Sequence, residues 1–298
     1  MKKYILSTLA ILSAAVFTSC DDMLDTDPRV TEMTSATFPG KPADVEAMNT
    51  ATYSILNAMG GGDADTQNPF YWWEIMSDNC YGSGGLQDNK VKALNNLVEV
   101  STDQYDKPFN LLYGGINRAN SIIETIDNVP WKATEMTKRS QLLGEAFFMR
   151  GLYYLWLTQL YGNVPLITST LITPEMEEEA DAAEAIFPQI LSDFVSAGNL
   201  MGTQKSSGHA NQYVARAFLA RAYMFYEGFY GKIADLSKAS PADIPLIEQE
   251  GSAGSLSKQQ VRDGLDQIIR SGAYKLLDDY RSLWQYSNSY VWKEAHDA

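Results

Sequence analysis

Apolar residues recur at three- and four-residue intervals over most of this chain, and strand-like alternation is nearly absent. In Ala43–Met59 the positions Val45, Met48, Ala51/Thr52, Ile55 and Met59 keep near-helical spacing, which predicts a helix closed by Gly60-Gly61-Gly62. Phe70–Ser77 (FYWWEIMS) reads as a short aromatic helix, and Asp78–Asn89 (DNCYGSGGLQDN) as irregular chain. Lys107–Asn128 has a clean amphipathic pattern through Phe109, Leu112, Ile116, Ala119, Ile122/Ile123 and Ile126. Thr134–Tyr161 is apolar on nearly all sides, so it belongs in a core or a membrane; Glu145, Arg150 and Gln159 argue for the core. Gly162-Asn-Val-Pro165 stops it, and an extended segment runs on to Pro174. Further helices are predicted over Asp181–Asn199, over the alanine-rich Ala210–Tyr230, and from Ser257 to Ser271.

The predicted fold is mainly α. Lys107–Asn128 with Thr134–Tyr161, and Asp181–Asn199 with Ala210–Tyr230, align as two antiparallel pairs whose second helices carry aromatic and alanine positions in similar order. That order resembles degenerate tetratricopeptide-like stacking, in which each pair buries its face against the next. Alanines 215, 217, 220 and 222 leave room for a close neighbour.

Length changes this picture little, since 298 residues suit one large domain or two ordinary ones. Charge excludes more. A formal net charge of -14 argues against nucleic acid or anionic lipid as the main ligand and leaves neutral sugars open. The run Glu175–Ala180 reads as a solvated linker face.

The amino terminus has a targeting layout. Lys2 and Lys3 precede an apolar stretch, Ile5–Phe17, too short to span a bilayer comfortably, and Thr18-Ser19-Cys20 follows at once. This arrangement looks like a lipoprotein signal with Phe17 in the place usually held by leucine. It predicts cleavage before Cys20 and acylation of that cysteine, which gives stable anchoring through two or three chains. Residues 1–19 are then the leader, 20–42 a polar, proline-punctuated tether, and 43–298 the helical domain. Loss of Lys2 and Lys3 with the leader makes the mature chain more acidic still. Cys80 is left alone and is expected to be a buried or inert thiol, because His209 and His296 are the only histidines that could activate it. Two distant histidines without helical spacing offer no zinc pattern, and no cofactor is implied.

Candidate chemistry concentrates in Phe70–Asn89. A pyranose presents C–H groups on its faces and hydroxyls at its edge, so it is held by flat aromatic faces together with amides and carboxylates. Tyr81 and Asp78 are the favoured contacts, with Asn79 and Asn89 beside them. Trp72 or Trp73 comes next, since adjacent helix positions cannot both face inward. Trp131, after Pro130 in a helix–helix turn, is a second exposed candidate. The alternative is that both tryptophans 72 and 73 are core and the loop merely connects. Glycoside hydrolysis needs two carboxylates about 5–10 Å apart in a rigid cleft, and no pair has such a setting. Asp278-Asp279 and Glu177-Glu178-Glu179 look like solvated surface, and no nucleophile motif or phosphate loop is present.

Three segments carry a family resemblance. Glu145–Ile167 (EAFFMRGLYYLWLTQLYGNVPLI) resembles the hallmark of SusD/RagB-type outer-membrane lipoproteins: Glu-Ala, an aromatic and an arginine, paired tyrosines, then Leu-Tyr-Gly-x-Val-Pro-Leu. Ile186–Asp193 (IFPQILSD) is similar to the next helix of that family, with Phe194 standing where a leucine is usual. His209–Tyr226 (HANQYVARAFLARAYMFY) resembles the one after, and Ser77-Asp78 the family's Ser-Asp. Asp21-Asp22 after the cysteine resembles the signal for export to the outer face of the outer membrane. The resemblance runs from about Cys20 to about Trp292. It implies stacked tetratricopeptide-like units and a lipid-anchored place at the cell surface. It also implies a role as glycan receptor and lid over a SusC-like TonB-dependent transporter, without catalysis. Family members continue into a long second half, so the chain is read as the N-terminal part of that fold. A peptide- or protein-binding surface scaffold is the other reading of tetratricopeptide-like helices. Most hallmark residues are expected to be structural. Arg150 should pair with a carboxylate or stack on a ring, and Tyr153, Tyr154, Trp156 and Tyr161 should be core aromatics.

Overall fold

The computed structural model describes residues 37–60, 69–81, 89–97, 106–206, 208–232, 234–236 and 255–281. The leader, Cys20, most of the tether and residues 82–88 of the candidate loop lie outside these. The helices belong to one compact unit that opens at Lys41. Among the described residues there are eight α-helices: α1 Pro42–Gly60, α2 Pro69–Ile75, α3 Asn89–Asn96, α4 Asp106–Thr125, α5 Met136–Tyr161, α6 Phe187–Leu200, α7 Gln212–Phe225 and α8 Lys258–Ser271. Two pairs of two-residue strands accompany them: β1 Val164–Pro165 antiparallel to β2 Glu179–Ala180, and β3 Ala234–Asp235 antiparallel to β4 Ser255–Leu256.

Each long helix packs on the next in sequence. Helix α1 lies on α4 and α5, α4 on α5, α5 on α6, α6 on α7, and α7 on α8. This is the stacking expected of helical repeats, in which one continuous core is built from neighbours only. Helix α5 stands at the centre, and every residue from Leu142 to Leu155 is buried. Its glycines set the approach distances. A Cβ at Gly151 would press on Asp193 and Phe194 of α6 at 3.1 and 3.2 Å, and one at Gly115 of α4 would meet the Tyr153 ring at 2.4 Å. No described helix is long and apolar enough to cross a membrane.

The polar residues inside α5 are those that argued against a membrane span, and the structure gives two of them partners. Arg150 is fully buried and makes a bidentate pair with Asp193 of α6, at 2.9 Å from Nε and 2.7 Å from Nη2. Its Nη1 donates to Asn120 Oδ1 of α4 at 3.0 Å, and Gln189 donates to Asp193 at 2.9 Å. Burial pushes the Asp193 carboxyl up, and the Arg150 charge works against that. Arg150 also lies over the Phe147 ring. One guanidinium therefore ties three helices together. Glu145, five residues earlier in α5, joins that helix to α1 and to the α6–α7 connection, accepting from Asn49 of α1 at 2.6 Å and from Gln141 of α5 at 2.7 Å, with His209 Nδ1 at 2.8 Å. Ala210 N–H donates to the Tyr53 hydroxyl, which fixes the α6–α7 connection against α1.

Several boundaries differ from the sequence expectation for local reasons. The ends of the predicted 107–128 and start of the 134–161 helices are 3-10 turns, Ile126–Asn128 and Ala133–Glu135. Wider π-helical turns occupy Ala182–Ile186 and Tyr226–Tyr230. Helix α3 was not expected, being short and polar, yet Val91, Ala93 and Leu94 give it a buried side. Helix α8 follows its signals closely: Ser257 and Gln260 form a capping box, and Gly272 at φ 63 ends it. The extended segment after α5 is held to α4, where Tyr113 donates to Pro165 O at 2.6 Å and Asn120 to Ile167 O at 3.0 Å.

Candidate functional site

The candidate segment begins on α2, whose faces separate the two tryptophans. Trp72 is 2% exposed and packs with Ile75, Val91 and Leu94 in a small apolar cluster between α2 and α3. Its ring has no face to offer a ligand, which corrects the expectation that placed it among the contacts. Trp73 points elsewhere. It is half-buried and meets Trp156 of α5 edge-to-face, with centroids 6.1 Å apart at 65°. Trp156 is itself half-buried and packs on Tyr153. Of the four hallmark aromatics read as core, Tyr153 and Tyr154 are fully buried while Trp156 and Tyr161 are half-buried. Trp156 thus joins the segment from the α5 side, a neighbour that its own helix pattern concealed.

Helix α2 ends in a tight turn built by one serine. Ser77 Oγ donates to Glu74 O at 2.7 Å and accepts from Asn79 N–H, so the chain leaves the helix at once. Asp78, Asn79, Cys80 and Tyr81 are then all exposed, Tyr81 at 79%. Cys80 was expected to be buried or inert; it is exposed, because the turn carries it away from the α2–α3 cluster. The segment thus presents one half-buried indole on α2, paired with Trp156 of α5, and past the end of the helix an exposed carboxylate, amide and phenol ring. Such a set can stack on a sugar face and bond its edge. The side chain of Asn89 lies outside the described ones.

Trp131 is placed elsewhere and differently. Its indole N–H donates to Ile126 O at 2.8 Å, and its ring is half-buried against the main core. It closes the α4–α5 corner, which explains a tryptophan directly after Pro130 without a ligand. No group of three or more His, Cys, Asp or Glu side chains that could hold a metal occurs among the described residues.

The comparisons with known proteins agree on a family. The SusD-like protein P38 of Formosa agariphila is 26% identical over 272 residues, 88% of this chain and 50% of that protein. A SusD-like protein of Bacteroides ovatus is 20% identical over 97% of this chain and 49% of its own length. The chain spans about half the length of the curated relatives it matches. Among solved structures, a laminarin-binding SusD-like protein superposes with a TM-score of 0.64 at 22% identity, covering 84% of this chain and 50% of that one. Surface glycan-binding protein A from Bacteroides thetaiotaomicron, in complex with laminarihexaose, gives 0.61 at 15% identity over 82% of this chain and 46% of that one. These structures share the fold, stacked helices included. A family profile described as starch-binding and associating with the outer membrane matches residues 24–224, and the chain belongs to this SusD-like family.

Proposed function

We propose that the chain is a cell-surface lipoprotein that binds a glycan and passes it to a SusC-like TonB-dependent transporter. The observation that carries this reading is the exposed tip Asp78–Asn79–Tyr81, which follows directly on the helix that holds Trp73, in a chain whose family is described as starch-binding. Tyr81 supplies the stacking face, Asp78 and Asn79 bond hydroxyls, and Trp73 forms the base. The role is binding rather than turnover. Laminarin and laminarihexaose, named for the structural neighbours, are the first ligands to try.

The layout of leader 1–19, tether 20–42 and helical domain from 43 belongs to the same proposal. Lys2-Lys3, the short apolar run, Cys20 and Asp21-Asp22 support a lipid anchor on the outer membrane. Cys20→Ala should abolish incorporation of radiolabelled palmitate and release the protein; continued labelling of the variant contradicts the anchor. Binding is tested by affinity gel retardation of the chain from Asp21 against starch, laminarin and other neutral polysaccharides. Retardation by at least one polymer is expected, and mobility unchanged in all of them contradicts a glycan receptor.

A further inference from the structure

Helix α2 is only seven residues long and packs chiefly on α3. What seats it on the main stack is a strip of α5. Trp156 and Leu160, four residues apart, lie on one face of that helix. Leu160 and the adjoining Tyr161 pack on the Trp72 cluster, and Trp156 meets Trp73. Both ends of the strip are braced from behind. Tyr161 meets Phe109 of α4 edge-to-face, with centroids 5.3 Å apart at 90°. Trp156 packs on Tyr153, with centroids 6.4 Å apart at 57°. Tyr153 is in turn locked: it is fully buried, and its hydroxyl donates to Thr52 O of α1 at 2.7 Å. Its ring lies so close to Gly115 of α4 that a Cβ there would clash with it.

Two adjacent tryptophans thus fix the short helix from two directions, since neighbouring helix positions are about 100° apart around the axis. Trp72 is spent in the α2–α3 cluster, and Trp73 keeps part of its ring at the surface. Rolling α2 about its axis would carry Trp73 and the chain that leaves the helix at Ser77 together. We infer that Trp156 is a positioning residue for the glycan site: meeting Trp73 edge-to-face, it sets the plane of that indole and the roll of α2, and so the direction in which Asp78, Asn79 and Tyr81 leave the helix. A ring ordered before the ligand arrives need not be ordered by it, and affinity gains by that much. Trp156 needs no contact with the sugar for this. The ligand rests on the glycan reading above; the bracing of Trp73 does not.

The test uses the full chain labelled with 5-fluorotryptophan, its fluorine resonances assigned by single Trp→Phe variants. Without ligand, Trp156→Leu should move and narrow the Trp73 resonance and leave that of Trp131 in place. A Trp73 resonance unchanged by Trp156→Leu overturns the inference whatever the ligand. Laminarihexaose and maltohexaose are then titrated as probes, with thermal unfolding of every variant followed alongside. Trp156→Leu should weaken binding about fivefold or more in the unmodified chain, but about twofold or less in a Trp73→Leu background. Trp156→Phe keeps an aromatic edge and should stay within about twofold of the unmodified chain. Equal weakening by Trp156→Leu in both backgrounds overturns the positioning role, because the loss then does not pass through Trp73. One arm needs no substitution at Trp156: in the unmodified chain the sugar should move the Trp73 and Trp156 resonances together, and a shift of Trp73 alone overturns the coupling. No response to either sugar, with no polymer retarding the chain, overturns the glycan reading and the ligand role of Trp156 with it.

Discussion

Every residue of α5 from Leu142 to Leu155 is buried, whereas every residue from Asp78 to Tyr81 is exposed. The first stretch holds the motif by which the family is recognised, and the second holds the groups suited to a ligand. The contrast separates residues consumed in packing from residues left at the surface. Arg150 is charged, centrally placed and flanked by aromatics, which are attributes often associated with a binding site. Its guanidinium is instead consumed by Asp193 and Asn120. Tyr81 belongs to no periodic pattern, and nothing in the core depends on it.

The sharpest way to break this comparison is to act on the centre. Asp193→Ala leaves Arg150 buried without its partner and should cost about 3–5 kcal/mol, measured by urea unfolding. Replacing both, as Arg150→Met with Asp193→Leu, should recover much of that loss, because no buried charge is then stranded. A cost below about 1 kcal/mol for Asp193→Ala would mean that the pair does not organise the three helices. Trp131→Phe should have a smaller effect. It removes the indole bond to Ile126 O and should cost about 1 kcal/mol of stability while leaving glycan binding unchanged. A loss of affinity would return Trp131 to the site.

Glu124 should have the smallest effect. It accepts from Thr170 N–H at 2.9 Å and from the Thr170 hydroxyl. Burial raises its pKa, and the hydrogen bonds from Thr170 and Ser169 outweigh this and hold it below the ordinary 4.5. A group depressed in the folded state stabilises above its unfolded pKa and loses that contribution as pH falls through the folded value. Glu124→Gln should therefore lower stability by about 0.5 kcal/mol near neutral pH. The difference should vanish on acidification below 4.5, as followed by thermal unfolding at a series of pH values.

Much of the fold was legible because burial leaves a periodic trace. The long helices, the stop at Gly162 and Pro165, and the structural role of Tyr153 and Tyr154 all follow from patterns local to a few turns. Arg150 could be assigned a carboxylate but not Asp193 in particular, since a contact between residues on two helices has no local signature. Helix α3 escaped for the opposite reason. Its buried side is only Val91, Ala93 and Leu94, too few for a period to stand out among lysines and asparagines. Within the candidate segment, the sequence could not separate Trp72 from Trp73. Their division depends on α3 arriving to cover one and α5 to meet the other. Of the two expectations for Cys80, buried or inert, exposure removes the first, because it is set by the Ser77 turn rather than by composition.

The most direct measurement is a binding isotherm of the chain and of Tyr81→Ala with the polysaccharide that retards it, paired with thermal unfolding of both. Removing the exposed ring should weaken binding at the tip by roughly 1–3 kcal/mol, by analogy with other aromatic stacking platforms, while stability stays within about 0.5 kcal/mol. Unchanged affinity in Tyr81→Ala, with both proteins folded, would contradict the assignment of ligand capture to the exposed tip.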